Sequence, residues 1–168
     1  MIAIPPEIME TLGWKVGDEV LISITPEGAI LIEKKRGIGR GLYNGVGGKI
    51  NPGENPLQAA IRECREEVGV TPIDPEWRGL LEFHNDGELY GIVYIFVAYG
   101  YQGEPTETDE ARPVWFRIDE IPYDRMWEDD RYWLPLILNG REIIFGRFIY
   151  RENWSELIKK EIYVLERV

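Results

Sequence analysis

Apolar and polar residues recur along this chain in two rhythms, and the change from one to the other marks its elements. Residues 20–24 and 29–34 alternate with the period of a strand around Pro26-Glu27-Gly28, and so predict two strands joined by a turn. Residues 77–83 and 91–99 predict a second pair around Asn85-Asp86-Gly87. Residues 114–118 predict one more strand, and 141–150 with 157–167 a closing pair. After Asn55 the rhythm becomes helical. At about 100° per residue, Leu57, Ala60, Ile61, Cys64 and Val68 form one narrow apolar stripe. Asn55 stands where a cap belongs, Pro56 suits the first helical position, Gln58 can complete a capping box, and Gly69 can end the helix. A second, short helix is expected to run to about Leu138, capped by Asp129 or Asp130, with Pro135 tolerable only near its first turn. Residues 1–19 predict an extended start, a small helix over 6–12 and a turn at Gly17.

These elements amount to one domain with enough chain for a sizeable core. The net charge is −11, which argues against nonspecific binding to DNA or anionic membranes. It does not exclude a nucleotide, because metal ions can neutralise phosphates and carboxylates together. One cysteine rules out an internal disulfide and suits a reducing cytosol. No apolar run is long enough to span a bilayer. A cytoplasmic protein is therefore expected, acting without a membrane or nucleic acid partner.

The chemistry concentrates between Gly48 and Val70, GKINPGENPLQAAIRECREEVGV. Glu63, Glu66 and Glu67 share a helix face away from the apolar stripe. At spacings of three and four residues they repel one another, and packing alone does not ask for them there. Carboxylates beside a backbone carbonyl are the hard oxygen ligands that Mg²⁺ prefers. The basic turn Lys34-Lys35-Arg36 before a glycine-rich loop is either a phosphate contact or a solvated turn. Asn44 is either a turn residue or a ligand hydrogen-bonder.

This stretch resembles the Nudix hydrolases, whose signature is Gly-x5-Glu-x7-Arg-Glu-U-x-Glu-Glu-x-Gly-U, with U a bulky apolar residue. Gly48, Glu54, Arg62, Glu63, Glu66, Glu67 and Gly69 match every fixed position, and Val70 fits the last apolar one. Cys64 departs mildly from the usual aliphatic. The resemblance extends to the MutT-homologue oxidised-purine nucleoside triphosphatases of the eukaryotic type. It is carried by KKRGIGRGLYNGVGGK at 34–49, GEPTETDEARPVWF at 103–116, IPYDRMWEDDRYWLPLIL at 121–138 and the final LERV. It implies an α+β fold, an α/β/α sandwich around a mixed β-sheet, with 1–19 an N-terminal extension and 20–168 the hydrolase domain. It also implies Mg²⁺-dependent cleavage of a triphosphate such as 8-oxo-dGTP or 2-hydroxy-dATP to monophosphate and pyrophosphate, with Mn²⁺ a substitute.

Carried over by residue, the resemblance assigns the metal to Glu63, Glu66, Glu67, Glu110 and the Gly48 carbonyl. The same four glutamates are the catalytic set, and the base is left open among Glu63, Glu66 and Glu110. Glu54 and Arg62 orient. Asn44, Asp129 and Asp130 read the base, Trp127 stacks on it, Phe83 and Trp133 line its pocket, and Lys34 lies near the substrate. Two adjacent carboxylates facing a buried purine should not both be ionised. Moving one proton between Asp129 and Asp130 would let one pocket accept oxidised guanine and oxidised adenine. The chain departs from the family at Ile38, Ala111 and Glu19, where the family generally has an aromatic, a methionine and a small polar residue. These departures imply a pocket of different size or shape.

Residues 1–35 also resemble the AbrB/SpoVT swapped-hairpin modules, which dimerise and bind DNA. Between Met1 and Glu33 there is one basic residue, Lys15, against six acidic ones, the wrong sign for a DNA-binding face. Strands that join the main sheet are the expectation, and a DNA-binding regulator the alternative. A monomer is expected, with a dimer through the extension as the other outcome. Other Nudix substrates, such as canonical or alkylated dNTPs or nucleoside diphosphate derivatives, remain rivals.

Overall fold

A computed structural model describes residues 18–24, 28–37 and 39–165. The small helix expected over 6–12 and the turn at Gly17 lie outside these residues. A mixed sheet contains strands β1 (Glu19–Ile24), β2 (Ala29–Lys34), β3 (Tyr43–Asn44), β6 (Glu76–Asn85), β7 (Glu88–Ala98), β10 (Ile143–Arg151) and β11 (Glu156–Leu165). They run in the order β11-β10-β6-β7-β1-β2-β3. β4 (Val46–Lys49) pairs with β1, and β9 (Ala111–Phe116) with β2. A separate small ribbon joins β5 (Thr71–Ile73) to β8 (Gly100–Gln102). β1 lies parallel to β7, and β10 parallel to β6. β1 and β2 are thus committed to the main sheet, and that part of the AbrB-like pattern forms no separate module.

Helix α1 (Pro56–Val68) covers one face of the sheet and α2 (Asp130–Leu138) the other. The strand alternation sorts the core accordingly. Val20, Ile22, Ile24, Tyr94 and Phe96 pack on the α1 side, and Ala29, Leu31, Val93, Ile95 and Val97 on the α2 side. β1 and β2 share one partner pair, Ile24 with Ile30, and then part. β1 continues along β4 through Leu21–Gly47 and Glu19–Lys49, while β2 continues along β3 and β9. This fork in the sheet is where the site forms.

α1 begins with the expected capping box, since Asn55 Oδ1 accepts from the Gln58 N–H and Gln58 Oε1 from the Asn55 N–H, both at 2.9 Å. Gly69 ends it in the left-handed conformation, φ 74°. Its buried face is Pro56, Ala59, Ala60, Cys64 and Val68. Ile61, expected in the stripe, is only half-buried, and the small Ala59 lies against the sheet instead.

α2 departs from expectation. Asp129 occupies the N-cap position with helical backbone angles and makes no capping hydrogen bond, because its carboxylate turns inward to Trp133 and Tyr150. Nor does Asp130 cap the helix: it is the first helical residue. Pro135 lies inside the helix rather than in its first turn, and the helix ends three residues later at Leu138.

Arg78, fully buried on β6, anchors the end of α2. Its guanidinium donates to the Gly140 carbonyl at 2.7 Å, the Glu142 carbonyl at 2.8 Å and the Tyr99 hydroxyl at 3.0 Å. A cation suits these carbonyls just past the C-terminus of a helix. Beside it, Gly79 has φ +142°, and a Cβ there would meet the Ile144 carbonyl oxygen at 1.9 Å, so only glycine lets β10 pair so closely. Replacing Arg78 by Met leaves buried carbonyls without donors and should lower the unfolding free energy by about 3 kcal/mol, read as a smaller urea midpoint.

Candidate active site

The glycine loop is fastened to α1 through Arg62. Its Nε and Nη2 donate to both oxygens of Glu54 at 2.6 and 2.9 Å, and Nη2 also reaches the Lys49 carbonyl at 2.8 Å. Nη1 turns to Glu63 at 2.7 Å and Glu66 at 3.1 Å. Arg62 hydrogen bonds hold the Glu54 carboxyl below its usual range, and Glu54 in turn raises Arg62. One guanidinium thus spans the loop and three glutamates.

Glu63 and Glu67 lie together beneath the loop. Glu67 Oε1 accepts the Gly47 N–H at 3.2 Å. A Cβ on Gly48 would come within 2.5 Å of Glu63 Oε1, so the loop needs glycine here to lie against the acid. Burial, and then the neighbouring Glu63 charge, push Glu67 up to about 8. Burial raises Glu63 as well, against the opposing pull of Arg62. Lys34, also lining the cleft, has the opposite effect on Glu67. Crowded, partly desolvated carboxylates under a glycine loop form an oxygen-only donor set that fits a hard divalent cation.

The expected metal set is only partly assembled. Glu63 and Glu67 adjoin at Gly48, while Glu66 is exposed and paired with Arg62, and Glu110 is exposed and paired with Arg36 at 2.6 Å. Among the described residues no three acidic, histidine or cysteine side chains meet at one point. The physical reason is charge: the two outer carboxylates take the nearest guanidinium. The acidic loop is nonetheless tied to α1, because Thr108 Oγ1 donates to the Glu67 carbonyl at 3.3 Å.

From Gly48 and Glu67 a cleft of about 480 Å³ opens into the fork between β1 and β2 and reaches α2. Lys34, Asn44, Phe83, Trp127, Asp129, Asp130 and Trp133 all line it, so every residue expected to bind substrate comes to one cavity. Trp127 is backed by Gly39, where a Cβ would meet the indole at 3.1 Å. Phe83 stacks on Phe148 at 5.6 Å. Asp129 and Asp130 are buried at the α2 end. Asp129 Oδ2 accepts from Trp133 Nε1 at 2.8 Å, and Oδ1 accepts from the Tyr150 hydroxyl. Asp130 Oδ2 has no hydrogen-bond partner. Burial raises both carboxyls, and the charge of Asp129 adds to the rise at Asp130.

Sequence reasoning missed three aromatic residues of the cleft, Tyr150, Trp154 and Tyr90. Tyr150 is one more inward position of β10, and nothing local shows that its hydroxyl reaches Asp129. Trp154 sits on a turn in which Glu152, Asn153 and Trp154 all have positive φ, held by Asp86 and Asn85. Its ring meets Tyr90 at 5.1 Å and Trp127 at 6.3 Å. Tyr90 donates to Glu19 Oε1 at 2.9 Å. The Asn85-Asp86-Gly87 turn signal was the only hint of this rim.

An acidic helix clamped beneath a glycine loop, at the mouth of an aromatic-lined cleft, is the arrangement of a hydrolase of phosphoanhydrides. The NUDIX domain model matches residues 17–137, and the chain belongs to the Nudix hydrolase family. It is 44% identical over 126 residues to an oxidized purine nucleoside triphosphate hydrolase of Danio rerio, covering 74% of this chain and 81% of that one. A protein of the same description in Mus musculus is 38% identical over 136 residues, 80% of this chain and 86% of that one. The fold is similar to that of a MutT protein from Bacillus halodurans, with TM-score 0.78 and 24% identity over 88% of this chain and 97% of that one. Among the described residues no helix is long and apolar enough to cross a membrane.

The folded protein holds the Glu67 proton more tightly than the unfolded chain, where the carboxyl titrates near 4.5. Its contribution to stability is present at low pH and is lost as pH rises toward about 8. Without divalent metal, Tm should fall between about pH 5 and 8 more steeply in the wild type than in Glu67→Gln, and Mg²⁺ should reduce the wild-type decline.

Proposed function

We propose that the protein is a Mg²⁺-dependent diphosphatase of oxidised purine nucleoside triphosphates, such as 8-oxo-dGTP or 2-hydroxy-dATP, that cleanses the nucleotide pool. The observation that carries this reading is the buried Asp129–Asp130 pair, with one orphaned carboxyl oxygen, at the end of a cleft that begins at Gly48 and Glu67. A buried polar group without a partner is costly, and a purine edge supplies partners. The Danio rerio and Mus musculus relatives support the same substrate class.

In this reading residues 20–168 are the catalytic domain and 1–19 an extension. Trp127 stacks on the base, Asn44, Asp129 and Asp130 hydrogen-bond it, and Phe83 and Trp133 wall the pocket. Lys34 meets the phosphates. Gly48, Glu63, Glu66, Glu67 and Glu110 would hold Mg²⁺, with Mn²⁺ a substitute. When bound, the cation neutralises phosphate charge and acidifies a water. Glu63, Glu66 or Glu110 would accept the proton of the attacking water. The water oxygen attacks phosphorus, the phosphoanhydride bond breaks, and monophosphate and pyrophosphate leave. Arg62 and Glu54 keep the loop and the acids aligned throughout. We read the enzyme as a cytoplasmic monomer acting on free nucleotides.

The test is pyrophosphate release from 8-oxo-dGTP, 2-hydroxy-dATP, dGTP and ADP-ribose with Mg²⁺. The oxidised purines should have the highest kcat/KM, and a preference for dGTP or ADP-ribose overturns the reading. Asp130→Asn should lower kcat/KM for 8-oxo-dGTP at least tenfold, about 1.4 kcal/mol of transition-state stabilisation. An unchanged value removes Asp130 from base recognition.

A further inference from the structure

We propose that Tyr150 keeps the proton of the aspartate pair on Asp130, and so makes the cleft select oxidised guanine over oxidised adenine. This rests on the triphosphatase reading above, and narrows it from a class of bases to one.

The argument begins with donors that cannot reverse. The Trp133 indole N–H can only donate, so Asp129 Oδ2, at 2.8 Å, must accept. The Tyr150 oxygen already accepts the Asp129 backbone N–H at 3.0 Å, which turns its own hydrogen toward Asp129 Oδ1. Both oxygens of Asp129 are therefore acceptors, the arrangement of an ionised carboxylate. A proton on either one would face a donor. Asp130, next in sequence and also buried, meets neither of these side-chain donors: its carboxyl accepts only from the Trp127 backbone N–H, against three donors on Asp129, and its Oδ2 is unpaired. Two adjacent carboxyls in an apolar wall do not both ionise, so the neutral member is Asp130. Burial and the Asp129 charge push Asp130 well above the usual carboxyl range, in agreement.

The pair then offers one donor, the Asp130 O–H, beside the spare lone pairs of Asp129. Guanine presents one acceptor, O6, followed by two donors, N1–H and N2–H, which match one proton and one negative charge. Adenine presents a donor at N6 and an acceptor at N1, the reverse order. Reading adenine requires the proton to move to Asp129, where Tyr150 and Trp133 oppose it. Tyr150 acts through Asp129 and is a positioning residue, and the order of donors is what it positions.

The test compares 8-oxo-dGTP with 8-oxo-dATP, which carry the same oxidation and differ on the edge that is read. With Mg²⁺ and full-length protein, the wild type should favour 8-oxo-dGTP in kcat/KM by at least tenfold, and Tyr150→Phe should shrink that ratio severalfold toward one. A merely structural role would lower both values and leave the ratio alone. A wild-type ratio near one, a preference for 8-oxo-dATP, or a ratio unchanged in Tyr150→Phe overturns the proposal while leaving the hydrolase reading intact. Failure to hydrolyse either triphosphate overturns both. Carboxyl ¹³C NMR of the wild type, assigned with Asp130→Asn, gives an answer even if Tyr150→Phe does not fold. Asp129 should be ionised and Asp130 protonated at neutral pH, and a protonated Asp129 is fatal to the idea.

Discussion

The reach of one guanidinium organises the catalytic half of this molecule. Arg62 stands in the middle of α1 and extends across the glycine loop to Glu54 and the Lys49 carbonyl, while its other nitrogen meets Glu63 and Glu66. A loop with this much glycine has little conformational preference of its own. Bidentate pairing with a fixed fork gives it one geometry. The same contact offsets part of the repulsion among the helix carboxylates, so the acids can be crowded without melting the helix.

The molecule treats its two groups of acids differently. Glu63 and Glu67 are half-buried beneath a loop that leaves room for close approach, and an oxygen-seeking cation suits them. Asp129 and Asp130 are buried at the opposite end of the cleft among aromatic rings, where a neutral base with N–H and C=O groups suits them. One end therefore calls for charge neutralisation and the other for hydrogen-bond matching. A nucleoside triphosphate carries both demands in one molecule. The fork between β1 and β2 sets the two ends in one cavity, because β1 leaves β2 after a single shared pair and each takes new partners.

The neighbouring supports are less visible but equally physical. Arg78 holds the end of α2 through carbonyls, and α2 carries Asp130 and Trp133. The Asp86 carboxylate receives successive backbone N–H groups of a left-handed turn and so presents Trp154 to the cleft. Non-glycine residues in that conformation are costly, and such strain persists where the surroundings over-determine it.

The chain by itself determined what depends on neighbours in sequence. The α1 capping box, its glycine end, the strand alternation and the acidic helix face are all local, set by side chains within a turn or two of one another. The family signature is local for the same reason, since one loop and one helix build it. Long-range pairing decided the rest. Ala59 replaced Ile61 on the buried face because the sheet, not the helix, sets how closely α1 approaches. Asp129 gave up the cap that its position suggested because Trp133 and a tyrosine 21 residues away offered better donors. Glu66 and Glu110 turned to Arg62 and Arg36 because solvent-facing acids take the nearest cation. No periodicity encodes which strand lies across a fork or which hydroxyl ends beside which carboxylate. Those choices follow from burying both faces of one sheet at once, and only the folded chain makes them.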